Sequence, residues 1–501
     1  MRVPRTGRFG RGMAGLALVA AGTLTLPTGT AVAAGSATAE TGPLLNYLVN
    51  TKANHGQVML AERAIARLGG TVVQSYEQIG VIIARSDSTT FAAALRASHQ
   101  VDSVGASRTK AVTAGIGDDT VELAAPPAGL LAATPAAGTD EPLQADQWSL
   151  GTIGVPEAHR TSLGSRRVTV GVLDSGIDAT HEDLAANVDA GQSVSCIDNG
   201  RPNTDFQAWQ PTTSDHGTHV AGTIAAAKNG KGVLGVAPNV KLAAVKVVDD
   251  GGFIYPEYAV CGFVWAGEHH FQVTNNSYYV DPWLFNCASD PDQAAILTAV
   301  RRATAFAERN GVLSVAAAGN ENIDLAHKTT DDSSPDDTVP LPRPVDAGCL
   351  SLPTELPGVV NVASTGVNGD KSFFSSYGQG KITVAAPGGD SRYQIPNTPA
   401  RNGRILSTVR GNKYGYMQGT SMASPHAAGV AALLASSHPF AGPDQLRRML
   451  TGQATEHACP AVFDPSGDGA WAAVCEGGTG QNGFYGAGIV NAATAVQWWR
   501  G

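Results

Sequence analysis

The sequence predicts an α/β protein: a parallel sheet with helices on both faces, preceded by a small α+β module. Three observations carry this. From Gln147 onward, short continuous apolar segments alternate with segments of helical periodicity, the pattern of strands buried on both faces and crossed over by helices. Between residues 44 and 112 strand and helix signals alternate on a shorter scale, which fits a split β-α-β plan. Between these two parts, residues 113–145 hold Ala125-Pro126-Pro127, Thr134-Pro135 and Asp140-Glu141-Pro142 among many alanines, the composition of an exposed linker.

Taken in order, the chain opens with Arg2, Arg5, Arg8 and Arg11, then an apolar run from Met13 to Leu26, then Ala31-Val32-Ala33. Positive start, apolar centre and small residues before a cut predict a signal peptide over 1–33 and a secreted, extracellular product. The run is short of the roughly 20 residues that a bilayer needs, and no adjacent arginine pair marks a twin-arginine signal. No other stretch is long and apolar enough to span, so a mature form without a membrane span is expected.

In the module, Leu44 to Thr51 reads as a strand. Val58 to Leu68 has helical spacing and stops at Gly69-Gly70, Thr71 to Ser86 reads as two strands, Thr90 to Ala97 as a helix and Val101 to Val104 as a strand. A protease-sensitive joint after a compact module implies a removable pro-region at 44–112; the alternative is a permanent domain linker. The large body, 146–501, shows strands at Val168–Leu173, Val240–Val248 and Val312–Ala318. Its helices are Thr218–Ala227, Gln293–Arg309 and Ser424–Ser436. In such sheets function gathers at the carboxyl ends of the strands.

Charge excludes one class of partner. With 34 Lys+Arg against 43 Asp+Glu, there is no cationic excess to neutralise phosphates, so nucleic acid is not expected. Six cysteines agree with an oxidising compartment. They allow 15 pairings; the short loop favours Cys459–Cys475, and Cys196–Cys261 with Cys287–Cys349 follows if sequence neighbours pair. No C-x-x-C spacing points to zinc.

Three strings carry the chemistry. Val170-Gly171-Val172-Leu173-Asp174-Ser175-Gly176 ends an apolar strand on an acid. Asp215-His216-Gly217-Thr218-His219 starts a helix with two histidines three apart. They are readable as a metal pair, or as a general base at His216 with His219 structural. Gly419-Thr420-Ser421-Met422-Ala423-Ser424-Pro425-His426 sets a serine in a first helical turn, where unpaired N–H groups and the helix dipole favour an anion beside the hydroxyl.

In their order Asp, His, Ser, these strings resemble the subtilisin family of serine endopeptidases. Val315-Ala316-Ala317-Ala318-Gly319-Asn320-Glu321 resembles its oxyanion segment, and the resemblance spans about residues 147–495. The module is similar to the family's inhibitory pro-region. The resemblance implies a subtilisin-like fold and Ser421 as nucleophile, His216 as base, Asp174 as its orienting acid and Asn320 as an oxyanion donor. It implies substrate walls at Ser277 and at Ala317, Ala318 and Gly319. Tyr278, Tyr279 and Val280 depart from the small residues usual after that serine, which leaves a restricted specificity open beside broad cleavage. Residues 321–349 read as an inserted, solvated loop.

The resemblance implies no cofactor for catalysis and no metal in the active site. It places a structural calcium at Asp183 and Asn229, with Asp464 and Asp468 a weaker second place. Expected partners are protein or peptide substrates and the chain's own pro-region as inhibitor of a precursor; a monomer is expected. The alternatives are a catalytically silent peptide-binding protein on the same fold and a dedicated processing enzyme.

Overall fold

The computed structural model describes residues 41–112 and 141–497; the signal reading at 1–33 and most of the linker lie outside them. The first part comprises β1 (Thr41–Asn50), α1 (His55–Arg67), β2 (Thr71–Tyr76), β3 (Val81–Ser88), α2 (Phe91–Arg96) and β4 (Ser103–Ala106). The antiparallel sheet runs β2-β3-β1-β4. Asn54 starts α1 by accepting the Gln57 N–H at 3.0 Å.

The period-two alternation of this sheet decides what it covers. Val49, Ile82, Ala84 and Val104 face Val58, Ile65, Phe91 and Leu95 of the two helices. Leu48, Val81 and Ile83 point the other way and share an apolar cluster with Phe263, Ile296 and Val300 of the large body. The module's core is thus half its own and half borrowed.

The large sheet has eight strands. In chain order they are β5 (Thr169–Asp174), β6 (Val194–Asp198), β7 (Arg201–Asn203), β8 (Lys241–Lys246), β9 (Val273–Asn276), β10 (Leu313–Ala317), β11 (Val360–Thr365) and β12 (Val384–Pro387). Their spatial order is β12-β11-β10-β9-β5-β8-β6-β7. All neighbours are parallel except β7 against β6. Four helices flank the sheet and position the site: α3 (His216–Ala225), α4 (Pro256–Glu268), α5 (Pro291–Arg309) and α6 (Thr420–Ser437). The apolar faces of α3 and α6 pack in one cluster with Val170, Val172, Val315 and Val362. Those of α4 and α5 pack in the other with Leu173, Ala243, Val245 and Ala316, so the sheet is covered on both sides.

The cysteines form Cys196–Cys261, Cys287–Cys349 and Cys459–Cys475. Two sequence readings need correction. Residues 141–145 are not linker: Glu141 is fully buried, Leu143 is buried, and the Leu143 N–H reaches the Gly232 carbonyl at 2.8 Å. A proline-rich composition hid an anchor. Nor is the inserted segment 321–349 merely solvated. Lys328 and Glu355 form a buried ion pair at 2.6 Å, and buried Asp331 holds Arg343 at 2.5 Å, so its charges fold inward where they find partners. No helix among the described residues is long and apolar enough to cross a membrane.

Candidate active site

From β5 the chain builds β6 to β8 on one side and then β9 to β12 on the other. The carboxyl end of β5 is therefore where the winding reverses, the place where such sheets open a crevice. Asp174 is the last residue of that strand and is 1 % exposed. Its Oδ1 accepts the Ser175 N–H at 2.7 Å and lies 2.8 Å from His216 Nδ1, with Oδ2 at 3.0 Å.

His216 is the first residue of α3. Gly217 lets that helix start so close to the acid: a Cβ there would collide with the Gly176 carbonyl and stand 3.1 Å from Asp174 Oδ1. The Gly217 N–H donates to Ser175 Oγ at 3.0 Å, fixing the first turn. A carboxylate can only accept, so Nδ1 carries the proton and the Nε2 lone pair is left for chemistry. Burial works to lower the His216 pKa, but the Asp174 charge and hydrogen bond outweigh it and hold the group above its ordinary value. His219 is fully buried and bonded through Nε2 to the Ile405 carbonyl at 3.0 Å. Burial pushes it down to about 3, so it stays neutral and structural.

Ser421 is the second residue of α6, after Gly419, whose φ of 151° is open to glycine alone. Pro425 has no N–H to give the Ser421 carbonyl four residues back. That carbonyl instead accepts Ser277 Oγ at 2.8 Å, and Ser421 Oγ donates to the Ser277 carbonyl at 3.2 Å. Among the described residues no hydrogen bond joins Ser421 to His216. Asn276, the residue before Ser277, is in register with Leu173, the residue before Asp174. The two strand ends are thus neighbours, about 4.8 Å apart by sheet spacing, and Ser421 is tied to one while His216 is tied to the other.

Asn320 follows β10. Its Oδ1 accepts the Thr420 N–H at 2.8 Å and Thr420 Oγ1 at 3.0 Å. A backbone N–H can only donate, so the oxygen is committed and the amide NH₂ is the end left facing the crevice. The residues expected to form the walls meet here too. Gly319 N donates to Thr420 Oγ1 at 3.2 Å, Ala318 N to the Val362 carbonyl at 3.0 Å, and Ala317 ends β10. Every site residue expected from the sequence therefore comes to the same end of the sheet.

A model of the subtilase family of peptidases matches residues 165–488. The chain belongs to the subtilase family. It is 33% identical over 357 residues to M-protease of Shouchella clausii, covering 71% of this chain and 70% of that one. To Subtilisin Savinase of Lederbergia lenta it is 32% identical, covering 71% of this chain and all of that one. Fervidolysin of Fervidobacterium pennivorans is 32% identical over 66% of this chain, which spans only 42% of fervidolysin's length. A protease of Pseudoalteromonas arctica shares the fold at 31% identity and a TM-score of 0.52, over 71% of this chain and 98% of its own. The epidermin leader peptide processing serine protease of Staphylococcus aureus, at 19% identity, shares the fold over 92% of this chain with a TM-score of 0.66. Subtilases are serine endopeptidases, which makes this chain a subtilisin-like hydrolase.

In this subtilase the bulky residues after Ser277 are tied down. Tyr278 OH donates to Asn276 Oδ1 at 3.1 Å, Tyr279 OH to Asp336 Oδ2 at 2.7 Å, and Val280 is core. The Tyr279 partner comes from the inserted segment, so insertion and wall are one unit.

Asp183 and Asn229 also meet: Asn229 Nδ2 is 3.1 Å from Asp183 Oδ1. The sequence reading missed the third member. Glu141 Oε1 accepts the Asn229 and Gly230 N–H groups at 3.0 Å each, while its buried Oε2 has no hydrogen-bond partner. Burial raises the pKa of Asp183 and of Glu141, and the charge of Asp183 raises Glu141 further. Asp183 Oδ2 in turn accepts the Val233 N–H at 3.0 Å, so both Asp183 oxygens are hydrogen-bonded, and among the described residues no cluster of three or more His, Cys, Asp or Glu is placed to hold a metal. Asp464 likewise spends both oxygens, on Ser466, Gly467 and Gly469, and Asp468 accepts the Ala470 N–H: a turn.

Proposed function

We propose that this subtilase is a secreted endopeptidase, made as an autoinhibited precursor, that cuts peptide bonds through Ser421, His216 and Asp174. The observation that carries the reading is the 2.8 Å bond from His216 Nδ1 to a buried carboxylate, set beside the serine's strand end. A serine hydroxyl is a poor nucleophile near neutral pH, so a base must take its proton as it attacks. His216 Nε2 takes it once the Ser421 hydroxyl turns from the Ser277 carbonyl. The carbonyl carbon of the substrate gains the serine oxygen, and its oxygen gathers negative charge. Asn320 Nδ2 and the Ser421 N–H stabilise that charge. The imidazolium returns the proton to the leaving amine, giving an acyl-enzyme that water cleaves by the same steps in reverse.

Ser277 on one side and Ala317, Ala318 and Gly319 on the other bind the substrate. Residues 44–112 act as the pro-region: their sheet lies on α4 and α5, and Arg302 Nη1 and Nη2 reach the Thr51 carbonyl at 2.6 Å and Asp102 at 2.9 Å. The signal-like start and three disulfides support export. A calcium held by Asp183 and Glu141 would neutralise paired charges and serve stability alone. Ser421→Ala tests the reading. It is expected to abolish peptide hydrolysis and labelling by a fluorophosphonate while leaving circular dichroism unchanged, and normal turnover by the purified variant refutes it.

A further inference from the structure

Beyond the catalytic residues lies a second, acidic pocket whose filling is unusual. Glu257 sits in the first turn of α4 and is fully buried. Its Oε1 accepts Asn46 Nδ2 at 2.7 Å and pairs with the guanidinium of Arg108, while its Oε2 has no hydrogen-bond partner. The Arg108 Cζ lies over the Tyr255 ring, 3.6 Å from its centroid, and its Nη2 is 3.4 Å from Tyr258 OH. Arg108 and Asn46 come from the module; Tyr255, Glu257 and Tyr258 come from the peptidase body. Burial alone would raise Glu257, yet the Arg108 charge beside it holds the carboxyl below its ordinary value.

The pocket is continuous with the substrate wall. The Asp281 N–H donates to the Ile254 carbonyl at 3.0 Å, which fastens the residue before Tyr255 to the segment that begins at Ser277. After Arg108, the Thr109 and Lys110 N–H groups donate to Asp337 at 2.9 and 3.1 Å, next to the Asp336 that holds Tyr279. A polypeptide therefore already runs from the pocket onto the inserted segment that braces the wall, with an arginine in the pocket.

When the module leaves, Glu257 loses Arg108, the one cation paired with it among the described residues. We propose that Tyr255, Glu257 and Tyr258 form a subsite for an arginine side chain of the substrate, lying N-terminal to the bond cut, for which Arg108 is the precursor's stand-in. Stacking on an aromatic face while meeting a carboxylate edge-on is what a guanidinium does and an ammonium does not, so arginine is selected over lysine. The inference rests on the active-site reading above and adds the substrate class.

The test uses processed enzyme obtained from the full chain and fluorogenic peptides with one arginine moved through the second to seventh residues before the scissile bond, each matched by a citrulline peptide of the same shape without charge. At one position kcat/KM is expected to favour arginine roughly 10- to 100-fold, the range for a charged hydrogen bond made or lost. In Glu257→Gln that ratio should collapse toward one. Equal rates for arginine and citrulline at every position overturn the proposal without any variant. A ratio that survives in Glu257→Gln overturns the assignment to Glu257. If Glu257→Gln does not fold, the parent's arginine-to-citrulline ratio decides alone. Absence of turnover for every peptide, with no fluorophosphonate labelling, is instead failure of the active-site reading and removes this proposal with it.

Discussion

Replacing Asp174 by asparagine changes one atom and should cost most of the activity. Asp174 Oδ1 is held by the Ser175 N–H at 2.7 Å, a donor that an asparagine can satisfy only with its oxygen. Its nitrogen must then occupy the Oδ2 place, 3.0 Å from His216 Nδ1. There it would repel the Nδ1 proton, against an oxygen at the Oδ1 place that is 2.8 Å from the same ring nitrogen and already shared with the Ser175 N–H. The imidazole escapes by moving its proton to Nε2, and that is the wrong tautomer, because Nε2 can no longer accept the Ser421 proton. A loss of about 10⁴ in kcat is expected for this kind of change, equivalent to about 5 kcal/mol of transition-state stabilisation. The assay is steady-state hydrolysis of a peptide anilide alongside a thermal melt, since shape and burial are preserved and the fold should survive. A variant within tenfold of the parent would refute the tautomer argument.

The same geometry sets three further outcomes. The base works only when neutral, and Asp174 raises the His216 pKa, so kcat/KM should fall on the acid side through a pKa above the ordinary value of about 6.5; in Asp174→Asn that limb should move to lower pH, and an unmoved limb in the pH–rate profile counts against His216. Thr420→Val removes one of two donors that fix Asn320 and should lower kcat roughly 2- to 10-fold with KM little changed, whereas a change in KM alone would mean that Thr420 serves binding. A strong chelator should lower the melting temperature of the parent, by the equivalent of about 2.7 kcal/mol at a hundredfold excess of calcium over Kd, and should leave Glu141→Gln unchanged; an insensitive parent removes the calcium site.

What was legible in the sequence was what is local. Strand ends carrying an acid, a histidine behind a glycine and a serine in a first helical turn are each decided within a few residues, and Asp174, His216 and Ser421 sit on those features in the fold. Strand and helix positions shift by only one to four residues: Val168–Leu173 is Thr169–Asp174, and Ser424–Ser436 is the end of a helix begun at Thr420. The helix starts earlier because Pro425, inside it, is tolerated: the Ser421 carbonyl that its missing N–H would have served accepts the Ser277 hydroxyl instead.

The unread parts are long-range. Arg108 and Glu257 are 149 positions apart, and a glutamate in a first helical turn is ordinary enough to conceal a buried partner. Glu141 stood between an aspartate and a proline and looked like linker, although the carboxylate is pulled under the surface by two backbone N–H groups. The order of the eight strands is likewise a matter of which apolar faces meet, and no segment of the chain records it.

Pro425 has a further effect through what it fails to donate. Because the Ser421 carbonyl is left unclaimed by its own helix, it can reach across to Ser277, so the attacking residue and the substrate's landing strip are stitched together rather than merely adjacent. A slip of α6 along the sheet would carry Ser277 with it and preserve their alignment. A missing proton on one ring nitrogen thereby turns two moving parts into one.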